Sequence, residues 1–371
     1  MAKLPASWPI FTPIVPVIAA VFFYRFESFD PVPYPDHELV DGEPLFVPKR
    51  NSQLLRGSEK IGEGLLAAPE DVAYDPKTGQ LYTGGVDGWV SRVWVNGSAA
   101  EMVVEKWVNT GGRPLGIAHG VNGEVIVADA YKGLLNISRD GGIKLLTDEA
   151  EGVKFKLADG VDVGGDGIVY FTDASHKHSY KDHALDLLEG RPNGRFLSYD
   201  PTTKLTKVLL KDLYFPNGVA VSPDQTFVVF CETPMRRCRR YYIQGPKKGS
   251  VDMFVVNLPG LPDNIKYDGE SLFWIGLSTE ADMFEWLKRY PSIRKIVGMM
   301  EKYTGRPVVE KNGGTIAIDL EGKAVAYYYD KHISLITSSV KIGEHLYCGS
   351  LNRSHILRLK LTHFPATPPT L

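Results

Sequence analysis

One pattern recurs along this chain and limits its fold more than any other feature. It begins with a polar or small residue, followed by Gly or its equivalent and a hydrophobic pair. A turn and an apolar strand complete it. The copies are "PEDVAYDPKTGQLYTGG" from Pro69, "PLGIAHGVNGEVIVAD" from Pro114 and "LADGVDVGGDGIVYFTD" from Leu157. They continue with "PNGVAVSPDQTFVVFCE" from Pro216 and "PDNIKYDGESLFWIG" from Pro262. A degenerate sixth, "TSSVKIGEHLYCGS", begins at Thr337. Most intervals are about 45 residues, the length of one four-stranded propeller blade. An irregular β-sandwich gives no reason for that period. Composition agrees: 37 Gly, 25 Pro and 18 Tyr lie among short aromatic and β-branched runs. Such a mixture marks an all-β chain rich in turns. The expectation is a six-bladed β-propeller over residues 56–371.

Two units are longer than the rest. The third contains "HKHSYKDHALDLLEGRP" and the fifth "TEADMFEWLKRYPSIRKIVGMMEKY". Met283, Trp286, Leu287, Tyr290 and Ile293 follow a helical spacing. Per-repeat insertions gather on one face of a propeller, often the binding face. These two therefore read as helical caps. His176 and His178 lead into the first and are candidates for acid–base work, with Asp173 placed to orient them.

Aligning the copies on the Gly and hydrophobic pair brings Glu70, Leu115, Asp159, Asn217 and Asp263 into register. Asn264 follows directly. The innermost strand of each blade starts near the central channel, so these positions converge on one axis. Converging carboxylates repel, and burying them unpaired is costly. A divalent cation resolves the conflict. Asp, Glu and Asn oxygens suit calcium, whereas zinc prefers His or Cys, which the ring lacks. Glu70, Asp159, Asn217, Asp263 and Asn264 are the expected ligands. The competing reading makes each a turn-capping residue.

The amino end is different. Leu4 to Tyr24 carries no charge, and about 20 helical residues span a bilayer. Lys3 precedes the stretch, and Glu27, Asp30 and Asp36 lie beyond it. This charge order leaves the amino end in the cytosol. Residues 1–28 read as a signal anchor, with a cleaved signal peptide as the alternative. Residues 29–55 read as a Pro-rich linker. The propeller is then expected on the lumenal side of the endoplasmic reticulum or vacuole. Sequons at Asn96, Asn136 and Asn352 fit a glycoprotein of the secretory pathway. Cys231 and Cys238 stand near enough to pair, leaving Cys348 free; free thiols fit equally well. The net charge is −2 and no long basic run exists, which argues against a nucleic-acid partner. The short cluster Arg236, Arg237, Arg239 and Arg240 reads as a strand edge or loop.

Several stretches carry a resemblance to a known family. They are "VADAYKGLL" (127–135), "YFTDAS" (170–175), "HALDLLEGRPNGRFLSYDP" (183–201), "FPNGVAVSPD" (215–224), "CETPMRRCRRYYIQGPKKG" (231–249) and "LPGLPDNIKYD" (258–268). Over nearly all the chain beyond the apolar segment, the sequence resembles the strictosidine synthase-like family. The resemblance implies a six-bladed propeller, more distantly similar to paraoxonases, gluconolactonases and related calcium-dependent hydrolases. It implies that Glu70, Asn217, Asp263 and Asn264 hold a catalytic calcium. Paraoxonase-like enzymes carry Asn at the remaining position, where this chain has Asp159; the exchange keeps an oxygen donor and adds charge. Their second-blade His corresponds to Leu115 here, and His119 belongs to a different register. True strictosidine synthase condenses tryptamine with secologanin through a Glu at the start of the sixth-blade motif. Thr337, preceded by Ile336, stands there in this chain. Thr has no group that titrates near neutrality and cannot shuttle the proton.

The expected activity is calcium-dependent hydrolysis of a small apolar ester or lactone. Met283, Phe284, Trp286 and Leu287 in the second cap favour an apolar substrate over a sugar. A Pictet–Spengler-type condensing enzyme and a non-catalytic binding propeller are the alternatives.

Overall fold

The computed structural model describes residues 17, 24–25, 28–39, 45–95, 97, 101–305 and 310–369. Four-stranded antiparallel sheets follow one another along the chain and close into a six-bladed β-propeller. Blade two shows how sequence becomes blade. Its inner strands, Pro114–His119 and Val125–Asp129, are almost wholly buried and apolar on both faces. Its outermost strand, Ile143–Thr147, faces solvent and is partly polar. Inner strands need both faces apolar because a neighbouring blade packs on each side. Between blades three and four, Phe196 stacks on Phe230 with ring centroids 4.8 Å apart.

The ring closes with strands from both ends of the domain. Ile336–Ile342, His345–Ser350 and Ile356–Lys360 form three strands of blade six. The fourth is Ser58–Ile61, from the beginning of the propeller, paired antiparallel with Ile356–Lys360. The repeat pattern carries no sign of this strand. Upstream residues are docked as well. Arg50–Asn51 adds a fifth strand, parallel to Ala324–Tyr329, on blade five. Much of the stretch expected to be a linker is thus held against the propeller.

Both insertions leave after the second strand of a blade, at the end where the first strand starts. They therefore cover the face that carries the aligned residues. The first forms α1 (His183–Glu189); the second forms α2 (Asp282–Lys288) and α3 (Pro291–Thr304), with Pro291 at a helix start that needs no N–H donor. Residues 29–34 bind these caps together. Arg294 of α3, fully buried, donates to the carbonyl oxygens of Leu188 (2.7 Å) and Val32 (2.6 Å). The Phe29 ring lies where a Cβ on Gly298 would stand, 2.3 Å away.

The expected anchor lies for the most part outside the described residues. Among the described residues, no helix is long and apolar enough to cross a membrane. Asn96 is also outside them. Asn136 sits within the strand Gly133–Ile137, half-buried, and Asn352 is exposed in the loop before Ile356–Lys360. Cys231 and Cys238 face each other on paired strands and form a disulfide; Cys348 is free and buried.

Candidate functional site

A β-bulge marks the start of the inner strand in five blades. In blade two Pro114 pairs with Asp129 and Ile117 with Val127, so Leu115 and Gly116 face a single residue. The same offset falls on Asp159–Gly160, Asn217–Gly218, Asp263–Asn264 and Thr337. Blade one begins regular pairing at Val72, just beyond Glu70 and Asp71. A bulge bends the strand and re-aims its side chains, here toward the axis. In blades two, three and four the glycine behind the aligned residue allows the blades to meet. A Cβ on Gly116 would lie 2.2 Å from the Asp159 carbonyl oxygen, and one on Gly160 2.3 Å from that of Asn217. Hydroxyls staple adjoining blades at the same level. Thr172 donates to the Asn217 carbonyl at 2.7 Å and Thr233 to that of Pro262 at 2.8 Å.

Glu70, Asp159, Asn217, Asp263 and Asn264 are thereby brought to one level of the channel, all buried. The Asn264 amide donates to Glu70 Oε1 at 2.6 Å, and Asn217 hydrogen-bonds Asp263. Two oxygens are left over: Glu70 Oε2 and Asn217 Oδ1 are buried without a hydrogen-bond partner. Burial first, then the charges of Asp263, Asp159 and Asp71, pushes the Glu70 carboxyl well above the usual range. Burial and Asp159 do the same to Asp263, and burial with Asp71 raises Asp159. Arg113, itself buried, opposes the rise at Glu70 and Asp159 but leaves it standing. The ring is short of positive charge and has oxygen acceptors to spare. That chemistry fits a hard divalent cation. Among the described residues, no three His, Cys, Asp or Glu are packed into a ready-made metal cluster. The donor set is a wider ring in which amides stand among carboxylates.

The predicted acid–base residues are not at this ring. Asp173 is fully buried and paired with Arg195 at 2.6 Å. Its Oδ1 accepts from the backbone of Leu157 at 3.1 Å. Asp129 and Glu232, at the same point of blades two and four, accept backbone N–H groups of Arg113 and Tyr214. Asp173 is thus one copy of a repeated loop closure. His178 pairs with Glu189 at 3.1 Å within the first cap, and His176 is exposed. Neither borders the cavity into which the ring opens.

Other residues border the ring. The ring opens into a cavity of about 80 Å³ bordered by Tyr180, His183, Leu115 and Phe215. His183 Nδ1 lies 2.7 Å from the Tyr180 carbonyl oxygen, which makes Nδ1 the donor. Sequence reading passed over His183 because it looked like part of a helix. Its place at the start of the first cap was the available signal. A larger cavity of about 650 Å³ adjoins this one between the caps, bordered by Leu187, Leu261, Met283, Phe284, Trp286 and Val297. Thr337 occupies the sixth ring position, where its hydroxyl donates to the Glu70 carbonyl at 2.6 Å. The arginine cluster is consumed in ion pairs, including Arg237 with Glu232 and Arg240 with Asp252.

Comparison with known proteins agrees with this architecture. Residues 159–246 match the strictosidine synthase family model, and residues 50–93 match that of the strictosidine synthase-like N-terminal region. The chain is 52% identical to strictosidine synthase-like protein 6 of Arabidopsis thaliana over 98% of both chains. It is 35% identical to the mouse adipocyte plasma membrane-associated protein, over 83% of this chain and 79% of the other. Among solved structures, a Xanthomonas campestris gluconolactonase superposes with a TM-score of 0.58 at 15% identity, covering 89% of this chain and 98% of that one. Regucalcin from Agrobacterium tumefaciens, described as a calcium-binding protein, superposes with a TM-score of 0.56 at 13% identity, covering 85% and 95%. These last two share the fold. The sequence matches extend over the repeat, the ring and both caps, and the chain belongs to the strictosidine synthase-like family.

Proposed function

We propose that this protein is a calcium-dependent hydrolase of apolar esters or lactones. The observation that carries the reading is the pair of unpartnered buried oxygens, Glu70 Oε2 and Asn217 Oδ1, beneath a cavity that continues into an apolar chamber. Glu70, Asp159, Asn217, Asp263 and Asn264 would hold the ion. Bound there, calcium supplies Lewis-acid polarisation of a carbonyl and stabilises the oxyanion. The chain's own residues do the remainder. Met283, Phe284 and Trp286 receive the apolar part of the substrate and exclude water from it. His183, which borders the cavity, takes a proton from a water there, with the Tyr180 carbonyl fixing the ring through Nδ1. Gluconolactonase and regucalcin are known on the same fold, which supports the choice of chemistry by analogy. Attachment to a membrane through residues 1–28, with the propeller on the lumenal side, belongs to the same reading. The described Tyr24 lies beside Lys295 of α3.

A condensing enzyme of the strictosidine synthase type is disfavoured because the Thr337 hydroxyl is committed to the Glu70 carbonyl. The test is hydrolysis of an aryl-ester and lactone panel by the protein with calcium, with chelator, and with calcium restored. The reading requires activity that is lost and regained, and that Asp263→Ala lacks. A folded protein that binds calcium and hydrolyses nothing would replace it with the binding-propeller reading.

A further inference from the structure

Below the ring, one side chain crosses the channel. Lys266 leaves the inner strand of blade five two residues after Asn264. Its Nζ lies 2.6 Å from Asp71 Oδ2 of blade one and donates to the Ile117 carbonyl of blade two at 2.8 Å. Asp71 is fully buried, and its oxygens also receive the Val72 N–H (2.9 Å), the Ile117 N–H (2.9 Å) and the Ser338 hydroxyl (2.6 Å). Ser338 belongs to blade six. Asp162 of blade three adds a second carboxylate whose charge interacts with Lys266, and it receives the Val221 N–H of blade four at 2.8 Å. Blade five thus reaches blades one and two directly, and Asp71 links that contact to blade six.

The atoms in contact with that ammonium are a carboxylate oxygen and a peptide carbonyl; Asp162 adds a second negative charge without touching it. Hard cations are bound by such oxygens. Without a cation the buried Asp71 would keep its three hydrogen-bond donors but have no counter-charge beside it, which is costly. We infer that Lys266 is the resident cation of this channel: a tethered ammonium that fills a lower oxygen site and keeps it from taking a free metal ion. It neutralises Asp71 and ties blade five to blades one and two. The upper ring is then the level left for a mobile divalent ion. Only that last statement rests on the proposed calcium site; the occupancy of the lower site by Lys266 does not.

The experiment compares full-length wild type, Lys266→Ser and Lys266→Met. Bound calcium is counted by equilibrium dialysis after chelator treatment, and melting is followed with chelator and with millimolar calcium. Ser vacates the lower site, whereas Met fills its volume without charge. Lys266→Ser is expected to bind one more calcium ion per chain than wild type, whatever number wild type binds. Its melting temperature should fall in chelator and recover in calcium by more than wild type responds. Lys266→Met should melt low in both conditions and bind no additional ion. The extra ion should persist when Asp263→Ala is added to Lys266→Ser, which separates this result from any failure at the upper ring. If Lys266→Ser folds only when produced in calcium, the inference holds; failure to fold in either condition overturns it. Wild-type stoichiometry in Lys266→Ser, or wild-type melting in Lys266→Met, also overturns it.

Discussion

Buried carboxylates in this protein divide according to what satisfies them. Asp173 accepts backbone N–H groups and faces Arg195, whose guanidinium also reaches the carbonyls of Ala150 and Val153. Burial raises its carboxyl despite that partner. Asp173→Asn should cost about 3–5 kcal/mol, because it leaves Arg195 buried without its counter-charge. Urea denaturation measures the loss, and specific activity per folded molecule should be retained. Glu70 has the opposite character: one oxygen is held by Asn264 and the other by nothing. His183→Gln should lower kcat by about 10²–10⁴-fold, the usual weight of a general base. The calcium-dependent rise in melting temperature should survive that change. His176→Ala should leave kcat where it was, since that side chain is exposed away from the ring. The ring residues were legible in the sequence because each precedes a repeated hydrophobic pair. The histidine that borders the cavity was not, since direction after a strand end depends on the loop, which has no period.

Elements turn these residues into a site. The bulge is the important local device, because it points the aligned side chains at the axis in successive blades. The caps depend on their own buried polar network. Asp186 of α1 receives the Ser175 hydroxyl and the Asn193 amide at 3.0 Å. Burial raises its carboxyl to about 6. The folded protein therefore holds this proton more tightly than the unfolded chain does. The sign follows: stability from this group is full below about pH 4, its unfolded range, and is lost as the pH rises through about 6. Asp186→Asn should flatten that part of a melting-temperature profile between pH 4 and 7. α3 is pinned by contact between Gly298 and Phe29. Gly298→Leu should expel residues 29–34 from the cap, and limited proteolysis should then cut there while the propeller stays intact. The apolar spacing of these helices was readable beforehand. Their attachment to residues 29–34 was not, because those partners are more than 150 positions apart.

At the scale of the molecule, stability depends on closing the ring. Ile61, on the strand that joins the beginning of the propeller to its last blade, is fully buried. Ile61→Ala should cost about 2–5 kcal/mol, seen as an early melting transition, and a chain lacking Ser58–Ile61 should not close. The sequence by itself determined the number of blades, the ring of oxygen donors and the apolar character of the second cap. A repeated unit writes its strand order and its axial positions into each copy, so they can be aligned without knowing the fold. Only the tertiary structure decided which strand closes blade six, that Lys266 reaches Asp71 across the channel, and that His183 rather than His176 borders the cavity. Those contacts join residues far apart in the chain, and packing around a common axis selects among partners that the repeat leaves equivalent.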